Sequence, residues 1–244
     1  MKFNGAWAAG YVQRMIVPDF RAFAAVVTER LLPTFDTFFT EAREHGEKWF
    51  RAKAADLDPL NDEQYEAASY LADKAMDETL AYADTVVSMY FGSIGLYSVS
   101  LFHLLEQHAA DLQWWWVVGG RTSGDTKLRP TPNLGGWKDW LKAEAALDVE
   151  ALASWRVVNE LKLVANTAKH AEGHSAAQLR LIRPELFVHP AKREGGRAPG
   201  RIDRSIHKPL FGEGLYVTPN DFSRYAEAVL AFWSEVAHAL SQHR

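Results

Sequence analysis

The stretch DEQYEAASYLADKAMDETLAYADTVVSMYF, residues 62–91, decides the fold class. Within it Tyr65, Ala68, Ala72, Ala75, Thr79, Tyr82, Val86 and Met89 recur at steps of three or four, the spacing that stacks side chains on one face of an α-helix. The outward positions are acidic: residues 56–84 hold nine Asp or Glu against a single Lys. A half-buried strand would alternate with period two, and no such alternation runs through the stretch. The helical period continues on both sides. Residues 93–118 form a second helix with Leu101, Leu104, Leu105, Leu112 and Trp115 inward, stopped by Gly119-Gly120. Upstream, Pro18-Asp19 opens a helix carrying Phe20, Phe23, Val27 and Leu31, and Pro33 kinks or splits it before Phe35, Phe38, Phe39 and Ala42.

Downstream, residues 119–136 are a Gly-, Pro- and Thr-rich loop, followed by a short segment at Trp137–Leu147 and a strongly helical one at Val149–Ala171. A short helix fits Ser175–Ile182. Residues 183–217 are irregular, with a short β-hairpin between Arg201–Ile206 and Leu215–Val217 as one reading. The last helix starts at Thr218-Pro219-Asn220-Asp221, where Thr218 caps and Pro219 takes the first helical position. The expected fold is all-α: an up-and-down helical bundle of four to five long helices with an irregular insertion before the last. We expect one helical domain over 1–244, with N-terminal helices at 18–61, a core at 62–171, a basic insertion at 172–217 and a C-terminal helix at 218–242.

Composition excludes several classes. With 244 residues, 48% hydrophobic and 24% charged, the chain is neither disordered nor fibrous and is long enough for a full core. Zero cysteines exclude disulfides, a thiol nucleophile and thiolate metal sites. The longest apolar run, Ile94–Leu105, is about half of the roughly 20 residues that span a bilayer, and the N-terminus makes a poor secretory signal. The expectation is a soluble, cytoplasmic protein without membrane contact. Charge is segregated: residues 180–208 sum to +5, so the remainder sums to −9. That loop either contacts an anionic partner, with Arg193, Arg197, Arg201 and Arg204 as RNA-binding candidates, or docks on the acidic helix at 62–84.

On the helix at Val149–Ala171, Val157, Leu161, Val164, Ala165 and Ala168 form the core side. Opposite fall Arg156, Asn159, Asn166 and His170, with Glu160 and Thr167 beside them and Lys162 and Lys169 flanking. Two asparagines are poor helix-interior residues, yet they share a stripe with a histidine four residues beyond Asn166. Such a stripe is either a solvated helix face or a site.

The run Asn159-Glu160-Leu161-Lys162-Leu163-Val164-Ala165-Asn166, with Lys169-His170 and Gly173, resembles the last core helix of HEPN-domain proteins. These are helical proteins of prokaryotic toxin–antitoxin and antiphage systems. The continuation through Ser175, Leu179 and Arg183-Pro184-Glu185-Leu186-Phe187 resembles extensions of bacterial members. The resemblance implies a metal-independent endoribonuclease working near a dimer interface, with a base for the ribose 2′-hydroxyl, an acid for the leaving oxygen and a cation for the phosphorane. His170 matches the family histidine and Asn166 the polar residue after the family arginine. The arginine itself should stand at 163–165, where this chain has Leu163, Val164 and Ala165. Lys162 is the substitute catalytic cation, with Arg156, Asn159, Lys169, Glu106 and His103 as supporting residues. The alternative is a non-catalytic dimerisation or interaction module with a degenerate site.

The expected partners are a second copy of the chain, RNA, and an antitoxin or other protein. No cofactor and no metal are expected: His170 and His174 are spaced for one helix face, but HAEGH is not a zincin motif, and Gly173 interrupts it. No phosphate-binding glycine loop or nucleophile elbow occurs. Of Trp114-Trp115-Trp116, at least one indole must face another element or partner.

Overall fold

The computed structural model of the chain describes residues 4–57, 62–119, 133–193, 206 and 208–242, and it is all-α. The first helix begins earlier than Pro18. Asn4 caps α1 (Gly5–Tyr11), its side chain accepting from the Trp7 amide at 3.0 Å. A π-helical turn at Val12–Ile16 leads into α2 (Val17–Val26), and a second at Val27–Leu31 leads into a 3₁₀ turn at Leu32–Phe35. Each π turn precedes a proline by two residues. Proline lacks the amide hydrogen and crowds the carbonyl four residues back, here those of Arg14 and Glu29; the wider turn accommodates both defects. Pro18 therefore lies inside a helix, and Pro33 ends it, as its sequence position predicts.

α3 (Phe38–Lys53) turns back along α4 (Asp62–Gly119). The two helices expected at 62–91 and 93–118 are one element of 58 residues, about 87 Å long at 1.5 Å per residue. Gly92 and Gly95 do not interrupt it. At Gly92 a Cβ would lie 2.3 Å from the Leu210 carbonyl oxygen, so this glycine lets the 208–212 segment cross the helix at backbone distance. At Gly46 on α3 a Cβ would lie 1.9 Å from Thr79 Oγ1, so α3 and α4 approach equally closely there.

α5 (Leu134–Ala145), α6 (Trp155–His170), α7 (His174–Ile182) and α8 (Pro219–Gln242) follow. The helix expected from Val149 starts at Trp155, preceded by a 3₁₀ turn at Val149–Ala151. α8 begins as the sequence predicts: Thr218 Oγ1 accepts from the Asp221 amide at 3.2 Å, while Asp221 accepts from the Thr218 amide at 3.0 Å. One core joins α1, α2, the C-terminal half of α4, α5, α6 and α8. Trp137, Trp233, Phe232 and Phe20 are fully buried at its centre. Of the three consecutive tryptophans, Trp116 packs edge-on against Trp140 of α5 with ring centroids 4.7 Å apart, and Trp115 is exposed.

The expected hairpin is absent among the described residues. An isolated bridge pairs Lys208 with Glu213, while Tyr216 donates its amide to the Leu186 carbonyl at 2.7 Å instead of pairing in a ladder. Residues 201–205, the other half of that expectation, lie outside the described residues. The expectation that no apolar run is long enough for a bilayer also needs correction. As one helix, α4 passes the length-and-composition test for a membrane span, with an 18-residue stretch of mean hydropathy 1.4. Core helices of soluble proteins pass the same test, and Ile94, Leu101, Leu105 and Leu112 are fully buried in this core.

Candidate nucleic-acid interface

α6 is held on three sides by α4, α7 and α8. Val158, Leu161, Val164, Ala165 and Ala168 are fully buried, and Val157 is half-buried. Ser154 at the helix start donates its hydroxyl to Glu235 of α8 at 2.9 Å. At the other end Ala171 takes a positive φ of 57°, with its amide on the Thr167 carbonyl at 2.9 Å.

Glu160 and Thr167 turn inward instead of standing beside the outer stripe. Glu160 is buried, and its Oε1 accepts from Tyr225 Oη at 2.7 Å and from the guanidinium groups of Arg183 and Arg224. Arg183 also pairs with Glu185 and Asp221. Burial raises the Tyr225 phenol well above its usual range, and the Glu160 carboxylate adds to the effect. Burial works against the ionised Asp221 carboxylate, but hydrogen bonds from Thr218 and Arg183 outweigh it and hold its pKa below the usual value. Desolvated carboxylates and guanidinium groups persist when they satisfy one another, and this network ties the segment after α7 to α6 and α8.

The network changes what the basic insertion can do. Arg193 is half-buried and donates to the Val188 and Tyr216 carbonyls at 2.9 and 3.0 Å. Burial lowers its pKa. Arg180 forms a fork on Glu172 and stacks over the Phe187 ring, 4.6 Å from its centroid. Glu172 in turn accepts from the Ile206 amide at 2.6 Å. Lys208 lies 3.9 Å from Glu213. Arg180, Arg183, Arg193 and Lys208 thus engage their own chain. Arg197, Arg201 and Arg204 lie outside the described residues.

What remains facing solvent on α6 is narrow and cationic. Asn159, Lys162 and Asn166 are half-exposed, and Lys169 and His170 are exposed. At 100° per residue they fall within one arc, from Lys169 on one flank to His170 on the other. Arg156 is exposed on the first turn, farther round beyond His170. None of these six side chains makes a hydrogen bond or ion pair with another described residue. Leu163, Val164 and Ala165 are all buried. His103 and Glu106 on α4 pair loosely with each other at 3.7 Å, and no described contact joins either to His170. Among the described residues, no three His, Asp or Glu side chains gather as a metal site.

The sequence missed the inward residues Glu160, Asp221, Arg224 and Tyr225. One signal was available: Glu160 and Thr167, seven apart, sit one step off the polar arc, at the edge of the apolar side. Compared with protein-family models, curated proteins and solved structures, the chain finds no match.

Proposed function

We propose that the chain is a HEPN-like RNA-binding protein that contacts RNA through the outer stripe of α6. One observation carries this reading: Asn159, Lys162, Asn166, Lys169 and His170 line a solvent-facing strip free of acids, and none is engaged by another described residue. Glu160 is the helix's only acid, and it is turned into the core. Ammonium groups without internal partners attract backbone phosphates, and asparagine amides hydrogen-bond phosphate or ribose oxygens. Cleavage, as the resemblance implies it, needs more. His170 would take the ribose 2′-hydroxyl proton, with Lys162, one turn before Asn166, as the cation beside the phosphorane. A second reading, a non-catalytic module with a degenerate site, is favoured by the burial of Leu163, Val164 and Ala165, where the family arginine should stand. The up-and-down HEPN bundle, the toxin or phage-defence setting and the cytoplasmic location belong to the same proposal and rest on the resemblance.

The test is filter binding and cleavage of tRNA and total RNA in EDTA over a salt series, with wild type, His170→Ala and the pair Lys162→Ala/Lys169→Ala. The lysine pair should weaken binding and reduce the slope of log affinity against log salt by up to about 1.4, roughly 0.7 for each single-strand phosphate that a lysine no longer neutralises. Cleavage by wild type but not by His170→Ala supports the ribonuclease. Binding without cleavage supports the module, and no RNA binding at low salt overturns the proposal.

A further inference from the structure

An exposed aromatic ring is displayed at the end of α6 that carries Lys169 and His170. Just past that end, Glu172 accepts the Ile206 amide at 2.6 Å. A few residues later the chain reaches α4, where a Cβ on Gly212 would lie 2.3 Å from the Ser88 carbonyl oxygen, and Gly92 faces the crossing from the helix. The 3₁₀ turn at Pro209–Phe211 packs on both α4 and α6. The segment thus bridges the C-terminal end of α6 and the middle of α4.

This turn is held firmly. The Phe211 amide donates to the Lys208 carbonyl at 2.9 Å, and the Gly212 amide to that of Pro209 at 3.1 Å. Gly212 takes a φ of 70°, in the left-handed region where a side chain is strained, and Pro209 is buried. Yet Leu210 is 41% exposed and Phe211 63%. A turn pinned at backbone distance by glycines on both sides cannot rotate to bury its tip, so the Phe211 ring is presented to solvent in a fixed place. Lys208, at the entry to the turn, is exposed as well. Its pair with Glu213 at 3.9 Å joins two exposed groups, an ion pair weak enough to be exchanged for a phosphate. Glu172, between α6 and the turn, is already engaged by the fork from Arg180 and by the Ile206 amide.

We propose that the RNA path along α6 continues over this turn, with Phe211 stacking on an unpaired base and Lys208 holding a phosphate beside it. The inference rests on the RNA reading of α6 and adds a contact outside that helix, on a different element. A nucleobase offers a flat apolar face whatever its identity, so the contact is sequence-tolerant. It requires an unpaired base, because stacked bases in a duplex already cover one another's faces. A rigid ring loses little freedom when a base lands on it, which makes a pinned turn a better platform than a loose loop.

The experiment is a fluorescence titration of a short 2′-O-methyl oligoadenylate carrying 2-aminopurine, which cannot be cut through its 2′ oxygen. Wild type, Phe211→Ala, Phe211→Trp, Lys208→Ala and the Lys162→Ala/Lys169→Ala pair are compared over a salt series. Phe211→Ala should weaken binding about tenfold and lose the 2-aminopurine quenching, with the slope of log affinity against log salt unchanged. Phe211→Trp should restore both. Lys208→Ala should reduce the slope by about 0.7 and keep the quenching. A fully paired duplex of the same backbone should bind wild type and Phe211→Ala equally. Both positions are exposed, so each variant should melt as wild type does. If Phe211→Ala binds the single strand as wild type does while the α6 lysine pair weakens it, this inference is overturned and the RNA reading stands. Equal losses on single strand and duplex, or a lowered melting temperature in Phe211→Ala, also overturn it, since the ring would then serve the fold. Wild type that binds neither RNA at low salt overturns the RNA reading and this inference with it.

Discussion

The two halves of α4 are one helix of continuous period in opposite surroundings. From Ile94 to Leu112 the apolar arc is sealed by other helices, and even polar Ser98 is fully buried, its hydroxyl on the Ile94 carbonyl at 3.0 Å. From Tyr65 to Leu80 the described helix packed beside it is α3, and Tyr65, Ser69, Ala72, Met76 and Leu80 on the same arc meet solvent, with Ala83 and Val87 half-buried nearer the junction. Periodicity in a sequence reports which side of a helix is apolar; it does not report whether anything lies there. The difference between the halves is therefore energetic, and point substitutions can measure it.

The largest contrast should come from matched leucines. Leu105→Ala removes a fully buried side chain from the central core and should cost about 2–5 kcal/mol, the range for cavity-forming truncations. Leu80→Ala, on the same arc seven turns earlier, should stay within about 0.5 kcal/mol when urea unfolding is followed on the monomer. Equal losses would mean that the N-terminal half carries its own core, contrary to its exposure.

The junction between the halves offers a sharper test, with opposite signs three residues apart. At Gly92 a Cβ would meet the Leu210 carbonyl oxygen at 2.3 Å and the Gly212 amide nitrogen at 3.1 Å, so Gly92→Ala must push the crossing segment away. A cost of about 1–3 kcal/mol is expected, as for overpacked sites. At Gly95 nothing lies within 4 Å of the added carbon, so Gly95→Ala should stabilise by up to about 1 kcal/mol through helix propensity. Chemical denaturation of both variants settles the comparison. Destabilisation at Gly95 would show that the crossing extends farther along α4 than Leu210.

Helix type and the side of α6 that faces the core were legible in the sequence because apolar spacing encodes both. Long-range pairing was not. Nothing near Glu160 in sequence announces Arg183, Arg224 and Tyr225, because a carboxylate at the edge of an apolar arc reads as solvated until its partners arrive from another helix. The basic insertion misleads for the same reason. Its positive sum is real, but Arg183 and Arg193 act as internal donors to carboxylates and carbonyls. The early helix start was hidden by Pro18, since proline usually opens a helix, and here a π turn at Val12–Ile16 accommodates it inside one. On α6 the outer residues Asn159, Lys162, Asn166, Lys169 and His170 were legible as a stripe, because an exposed strip requires only the helix's own period.

The smallest effect concerns pH and belongs to the sealed half. His108 on α4 is buried against the Phe20 ring, 5.3 Å between centroids, and neither ring nitrogen makes a hydrogen bond with a described residue. Its Nε2 lies 3.3 Å from Asp19 of α2. Burial lowers its pKa, and the charges of Asp19 and of Asp111 on its own helix oppose the shift without reversing it. The fold therefore holds this imidazole neutral more strongly than the unfolded chain does. Its contribution is complete above the unfolded value of about 6.5 and is lost as pH falls through 6.5 and then through the lower folded value. Melting temperatures at pH 7.5 and 5.5 should differ more for wild type than for His108→Phe, which keeps a ring in the pocket and removes the titration. His189, whose pKa burial and the nearby Lys192 and Arg193 also lower, is unchanged in both proteins, so the difference between them isolates His108. An identical pH dependence in the two would mean that Asp19 and Asp111 hold the imidazolium in the fold as well as water does, and that this half of α4 is less sealed than its leucines indicate.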